Sequence, residues 1–415
     1  MKQTFRTSML AAAIAITAAW GAGVAAQEIK VGGLATLEGP FAVPGQDSMR
    51  GIELALAEAN YTAGGKKITL IKASSNANPD VAVNAARKLV EQDKVDILIG
   101  PLSGSEGLAV KDYAKTQPNT TFVNGSSAAQ DTTLRDPAPN FYRFSTDGAQ
   151  WMAGLGEYVY KTKGYKKVAV VAEDYSFPYT QVLGFMLPFC QAGGKVPEKF
   201  WVPIGNKDYS SVIAKLPQDV DAIYVALGGA DAINFLTQYQ QAGGNKPLIG
   251  GSITVDQTVL GSKGRIRDSV IGVPAAGPIA DSWDNAKWKA FVAAYKAKFP
   301  DGLPSPSLFA HAYYVETKAV LAALNQVHGD LSGGQAKFRQ ALSKLKLDTP
   351  TGAVTLDENR NAIADIFLTE VAVGQGGVLF NKVIKVIPQV NQTLGTDKAK
   401  FMALGPVSRT NPECK

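Results

Sequence analysis

The 415-residue sequence is poor in the side chains that carry most enzymatic chemistry. It has two histidines, His311 and His328, at unrelated positions, and two cysteines, Cys190 and Cys414. With so few, neither a nucleophile triad nor a metal site is easily assembled. No CxxC occurs, which removes redox and zinc-knuckle readings. GxSxG, HExxH, GxxxxGK[ST] and GxGxxG are all absent, so serine-hydrolase, metalloprotease, P-loop and dinucleotide motifs are missing too. Neighbouring carboxylates such as Glu173 and Asp174 point apart at a strand end. No catalytic residue, metal or cofactor is therefore expected. Beyond the first 26 residues no stretch is apolar for long enough to span a bilayer. The formal net charge is +6, but the basic residues are scattered, so a nucleic-acid partner is not expected.

What is present begins with a leader. Lys2 and Arg6 form a positive start, residues 9–19 an apolar core broken only by Thr17, and Val24-Ala25-Ala26 a small-residue cleavage site before Gln27. This pattern reads as a secretory signal peptide over 1–26. No cysteine stands at the cleavage site, so no lipid anchor is indicated. Loss of Lys2 and Arg6 with the leader leaves a net charge of +4. The whole sequence is 46% hydrophobic and 19% charged, a globular composition with length for two domains. In an exported protein Cys190 and Cys414 read as a disulfide pinning the tail to the body, two free thiols being the alternative.

The stretch 95–129, VDILIGPLSGSEGLAVKDYAKTQPNTTFVNGSSAA, organises the rest. Residues 95–100 are a short β-branched apolar run, as a strand buried on both faces requires. Gly100-Pro101 stops it. Ser103 with Glu106 is spaced as a capping box, predicting a helix to about residue 115. Residues 121–124 form the next strand. Ser127 and Gln130 repeat the capping-box spacing. Two parallel strands would thus end in small, hydroxyl-rich turns at the carboxyl edge of one sheet, where open α/β sheets bind ligands and helix starts favour anions. The plainer reading of each turn is a well-capped helix start.

Around this stretch, strands alternate with helices. Residues 27–34 read as a strand, 35–50 as a loop punctuated by Gly39-Pro40 and Pro44-Gly45, 51–60 as a helix, 66–73 as a strand, and 80–92 as a long helix. After an aromatic segment (140–145) and a helix over 150–163, the pattern restarts. Strands are predicted at 167–172, 199–202, 222–226 and 248–250, with helices over 180–192, 210–216 and 232–242 between them. Further helices are expected at 283–299, 308–327 and 335–343. A strand–turn–strand unit is expected around 357–361, a strand pair near 378–388, and a polar tail from 390. The fold class is α/β, with two doubly wound parallel-sheet lobes and right-handed crossovers.

The order and spacing of IKVGGLATLEGPFAVPGQDSMRGIELALAEAN, AARKLVEQDKVDILIGPLSG, FVNGSSAA, FYRFS, VVAEDYSFPY and DTPTGAVTLDENRNAIADIFL resemble a family. They look like type I periplasmic solute-binding proteins of the branched-chain amino acid (Leu/Ile/Val-binding) group, the receptors of ABC importers. The resemblance covers nearly all of the chain after the leader. It implies lobe 1 at 27–146 plus 277–351, lobe 2 at 147–276 plus 352–389, and a tail at 390–415. Three hinge crossings would fall near 145–148, 275–278 and 351–353. It further implies a small-molecule carboxylate as ligand and an ABC permease in the inner membrane as partner; the signal peptide places the protein in the periplasm, and a monomer is expected because two closing lobes must open freely. A sensor feeding a separate signalling partner is the alternative.

By the same resemblance, the ligand carboxylate would meet Ser103, Gly104 and Ser105 and then Ser126, Ser127 and Ala128. Phe41 would pack on the ligand, because Pro44 stands where the family often has tyrosine. Tyr175 and Phe177 would wall the second lobe, followed by Ala230, Asp231 and Ser252. Amino-acid binders of this group usually hold the ammonium with an acidic side chain near the position of Ser252. Here Asp231 or Asp256 would have to supply it, although Asp231 also reads as a helix cap. If neither reaches the cleft, a carboxylate with an apolar or aromatic body and no amine fits better, since a buried ammonium without counter-charge is costly. Arg143 and His311 read as structural residues.

Overall fold

The computed structural model describes residues 28–262 and 266–414. The leader expected over 1–26 lies outside them. Two sheets carry the fold. The first contains β1 (Ile29–Thr36), β2 (Thr62–Ala63), β3 (Lys66–Ser75), β4 (Ile97–Ile99), β5 (Thr121–Val123) and β6 (Phe141–Tyr142). Its order is β2-β3-β1-β4-β5-β6, all neighbours parallel except the β2–β3 hairpin. The second contains β7 (Val168–Glu173), β8 (Lys199–Val202), β9 (Ala222–Ala226), β10 (Leu248–Gly250), β11 (Pro274–Gly277), β12 (Leu347–Thr349), β13 (Gly352–Leu356), β14 (Ala362–Val373) and β15 (Leu379–Val390). Its order is β12-β13-β14-β11-β10-β9-β7-β8, with β15 on β14. Strands β7 to β11 run parallel, and β14 runs antiparallel to β11 and β15.

The central strands are short and wholly apolar because helices cover both faces. Ile97, Leu98 and Ile99, and all of β9, are buried, as parallel sheets demand. In each sheet the winding reverses once, between β1 and β4 in the first and between β7 and β9 in the second. At such switch points neighbouring turns diverge and leave a crevice at the carboxyl ends.

The chain crosses between the sheets three times: after β6, after β11, and on its return to the second sheet at β12. Buried polar bonds fix the first crossing. Arg143, fully buried, donates to Ala129 O (2.7 Å), Asn361 Oδ1 (2.6 Å) and Thr133 Oγ1 (2.6 Å). Glu316, on the helix Leu308–Gln326, accepts from the Phe144 and Ser145 amides at 2.9 and 2.8 Å. Both are structural devices, as expected for Arg143. His311 is buried with Nε2 3.2 Å from Thr351 Oγ1.

Several expectations change. The loop expected over 35–50 is short. Its helix starts at Ala42 and runs to Glu58, with Phe41 at its N-cap and Pro44 in the first turn, where a missing amide hydrogen costs no helical bond. The helix expected over 150–163 is broken at Gly154, whose φ of 81° ends one turn and starts the next. The strand pair expected near 378–388 is one strand, β15, which pairs with β14. Cys190 and Cys414 form a disulfide.

Candidate ligand-binding site

The turns after β1, β4 and β5 in the first lobe face those after β7 and β10 in the second. Phe41, Leu102, Ser103, Gly104 and Ser126 line a pocket with Trp151, Tyr175, Phe177, Ile253 and Phe309. The cavity they leave is about 10 Å3. That holds roughly one water, so admitting a ring requires the walls to part. A larger surface groove, about 810 Å3, is lined by Tyr158, Leu187 and Ile387 among others and touches no switch-point turn.

One end of the pocket is a helix start. Ser103 caps the helix Gly104–Ala114 with the expected capping box: the Ser103 amide donates to Glu106 Oε2 (3.0 Å), and the Glu106 amide to Ser103 Oγ (3.4 Å). Thr36 Oγ1 also donates to Glu106 Oε2, at 3.1 Å. The Gly104 and Ser105 amides donate to no protein acceptor among the described residues. They are the unpaired donors every helix start leaves, on the positive end of the helix dipole. Burial pushes the Glu106 carboxyl up, which reduces the negative charge beside those donors.

The other walls are aromatic. Phe41 meets Tyr175 edge-on with centroids 6.4 Å apart, Tyr175 meets Phe177 at 6.1 Å, and Phe177 meets Trp151 at 5.5 Å. Such contacts contribute about 0.5–1.5 kcal/mol each beyond burial. The lobes touch here: Ser105 Oγ lies 3.1 Å from Ser176 Oγ, and a Cβ placed on Gly104 would lie 2.7 Å from Phe177 Cβ.

The structure therefore brings together Phe41, Ser103, Gly104, Ser126, Tyr175 and Phe177, with Ser105 at the rim. It sets the other named residues apart. Ser127 does not cap a second helix: the segment after β5 is irregular, and the turn Gln130–Thr132 has Ala129 at its N-cap. The Ser127 hydroxyl packs against Gly107 instead. Ala128 uses its carbonyl on the Gly148 amide (2.8 Å) at the crossing. Ala230 is exposed. Asp231 is buried and accepts from the Gly205 amide at 2.7 Å, its carboxyl raised to about 6 by burial. Ser252 lies in the adjoining small cavity with Asp256 and Pro278, and its Oγ accepts from Gln181 Nε2 at 2.6 Å. Asp256 is spent on Thr258 and Leu308 amides at 3.0 and 2.8 Å. Leu102, Trp151 and Phe309 were not foreseen. Each stands in a helix or turn where an apolar residue has an ordinary packing role, so the sequence carried no signal for them.

Two open sheets facing each other across three crossings, with free helix-start amides at the shared crevice, form a clamp. The profile of the periplasmic binding protein family matches residues 28–377. The chain belongs to that family. The Leu/Ile/Val-binding protein homolog 6 of Brucella melitensis is 25% identical to this periplasmic binding protein over 390 residues, 93% of this chain and 97% of that one. Among solved structures, the ABC-transporter solute-binding protein of Rhodopseudomonas palustris BisB5, in complex with 3,4-dihydroxybenzoic acid, is 27% identical with TM-score 0.81, covering 89% of this chain and 99% of its own. A second R. palustris solute-binding protein, in complex with 4-hydroxybenzoate, is 25% identical with TM-score 0.79, covering 88% and 98%. Among the described residues, no cluster of acidic, histidine and cysteine side chains could hold a metal ion, and no helix is long and apolar enough to cross a membrane.

Proposed function

We propose that this periplasmic binding protein is the extracytoplasmic receptor of an ABC importer and captures a small carboxylate with an aromatic or apolar body. The observation that carries this reading is the pair of unpartnered Gly104 and Ser105 amides facing the Phe41–Tyr175–Phe177–Trp151 wall. Amides on a helix start bind an anion, and rings bury an apolar body. Ser103, Ser126 and Ser105 complete the carboxylate end. Ligand bridging the lobes favours the closed arrangement, which a membrane permease can then sense. The carboxylate-binding relatives with solved structures support the ligand class. Export is supported by the leader pattern and by the Cys190–Cys414 pairing, since disulfides persist in oxidising compartments. The lobes divide near the three crossings, and a monomer leaves the clamp free to open.

The test is a thermal-shift and titration panel on the protein without its leader: benzoate, 4-hydroxybenzoate, 3,4-dihydroxybenzoate, leucine and 4-methylpentanoate. A ligand at a hundredfold its Kd stabilises by about 2.7 kcal/mol. Silence from every carboxylate would overturn the ligand class.

A further inference from the structure

The first crossing is touched by two side chains from the wall of the crevice. Phe144 and Ser145 are held to the first lobe, their amides bonded to Glu316. Gln150 is held to the second, its Nε2 donating to Ala362 O of β14 (2.9 Å) and Val390 O of β15 (2.7 Å). The backbone turns that open and close the clamp therefore fall on 146–149, between these anchors. Asp147 caps the short helix Gly148–Trp151 there, accepting from the Ala149 and Gln150 amides at 2.9 Å each.

Two rings of the pocket reach this short segment. Trp151 lines the pocket and is buried, and its Nε1 donates to Thr146 Oγ1 at 2.8 Å. Thr146 is itself buried and lies outside the pocket lining. Phe177 lines the pocket too, and its ring stands over the Gly148 backbone: a Cβ on Gly148 would lie 3.0 Å from Phe177 Cε2 and 3.1 Å from Cδ2. The two rings meet each other at 5.5 Å. A buried indole N–H needs an acceptor. Thr146 turns with the crossing while Trp151 rides on the second lobe, so the 2.8 Å bond fits one hinge angle. In the parted arrangement water entering the crevice takes its place. The Phe177–Gly148 approach depends on the same angle, since close-packed groups do not yield continuously.

Building on the carboxylate-capture reading above, we propose that the Trp151–Phe177 ring pair couples the pocket to the first crossing, with Thr146 as the positioning residue that acts on the ligand through Trp151. A ligand body seated against the two rings holds them where the Thr146 bond and the Gly148 contact form, and so sets the closed hinge angle. Closure then has two sources, the ligand bridging the lobes and the rings gripping the hinge. The second is a coupling free energy between two places, carried by one element with two arrangements, the crossing itself. It holds for any carboxylate whose body reaches the two rings.

The experiment alters the hinge partner, which meets no ligand. The probe is the carboxylate of the panel above (benzoate, 4-hydroxybenzoate, 3,4-dihydroxybenzoate, leucine or 4-methylpentanoate) that binds the wild type most tightly. Thr146→Val keeps the shape of the side chain and leaves the indole N–H without its acceptor in the closed form. It should weaken probe binding about tenfold, raise the open fraction in small-angle scattering at fixed probe, and leave the ligand-free Tm within a few degrees. Thr146→Ser keeps the hydroxyl and should stay within about twofold of the wild type. Trp151→Phe should lose at least as much affinity as Thr146→Val, and adding Thr146→Val to it should cost less than about twofold more, because the bond is already gone. Independently of the Thr146 variants, the probe should shift tryptophan emission in the wild type, and Trp151→Phe should remove most of that shift. A lower Tm with unchanged Kd in Thr146→Val would show a bond made in both arrangements and overturn the coupling while leaving carboxylate capture standing. Additive losses in the double variant, or an emission shift of full size in Trp151→Phe, would overturn it as well. If no carboxylate binds the wild type, the capture reading fails and the coupling with it.

Discussion

Asp256 and Leu308 meet across the crevice: Asp256 Oδ2 accepts from the Leu308 amide at 2.8 Å. Asp256 belongs to the turn between β10 and β11 of the second lobe, and Leu308 opens the helix Leu308–Gln326, which packs on the first. The same helix start is held from its own lobe by Asp47, which accepts from the Ser307 amide at 3.1 Å and from the Ser307 hydroxyl. Two buried carboxylates thus grip one helix N-terminus, where negative charge is favoured, and only one of them crosses the cleft.

The Asp256 bond exists only while the lobes are together, so it stabilises closure. Asp256→Asn keeps one acceptor oxygen for two amides and forfeits one charge-assisted bond, about 1.5–3 kcal/mol. We expect ligand affinity to fall about tenfold or more, and small-angle scattering to show a larger open fraction at fixed ligand. Asp47→Asn should lower Tm with little effect on affinity. Equal effects of both substitutions on affinity would remove the distinction.

Gly104 tests the clamp from the opposite side. A Cβ there would stand 2.7 Å from Phe177 Cβ and 2.9 Å from the Phe177 amide nitrogen, closer than real contacts allow. Its backbone is ordinary helix, so a side chain costs the first lobe nothing locally. Gly104→Val should leave the ligand-free Tm within a few degrees and weaken ligand binding by about a hundredfold or more. Normal affinity in calorimetry would mean that the lobes need not approach this closely.

How much of this was legible follows from how local each signal is. The apolar run at 97–99 and the Ser103–Glu106 box lie within ten residues, and both formed as read. The Ser127–Gln130 box had the same spacing but failed, because Arg143 and Gly148 claim the carbonyls of Ala129 and Ala128 for the crossing. Pro44 looked like a loop signal, yet a first helical turn accepts proline equally well. The aromatic turn was found from position alone, whereas Trp151 and Phe309 reach the pocket only through tertiary packing.

The tail offers a redox test. Cys190 and Cys414 close a loop with a sequence separation of 224. Before the disulfide, Phe401 packs with Leu134 of the first lobe and Leu183 of the second, and Arg409 Nε donates to Asp174 Oδ1 at 2.8 Å, beside Tyr175. Opening the disulfide should cost about 2–5 kcal/mol, seen as a lower Tm with dithiothreitol and in Cys190→Ser. Arg409→Ala, which leaves the disulfide intact, should change Tm by a degree or two and weaken ligand binding a few-fold by loosening the aromatic turn. An unchanged melt under reduction would show that the noncovalent contacts alone hold the tail.

Stability should also depend on pH through Glu316. Burial raises its carboxyl to about 8 from an ordinary 4.5, although the Phe144 and Ser145 amides pull the other way. The folded protein therefore binds a proton there that the unfolded chain releases at lower pH. The sign follows from linkage: the contribution is full below about pH 4.5 and is lost as pH rises through about 8. Asp256, raised to about 7 by burial, acts in the same direction. We expect Tm to fall between about pH 5 and about pH 8, and Glu316→Gln, which cannot ionise, to flatten that slope without abolishing it because Asp256 remains. A Glu316→Gln profile parallel to the wild type would mean that Glu316 stays ionised in the hinge, held by the two amides and by Arg143.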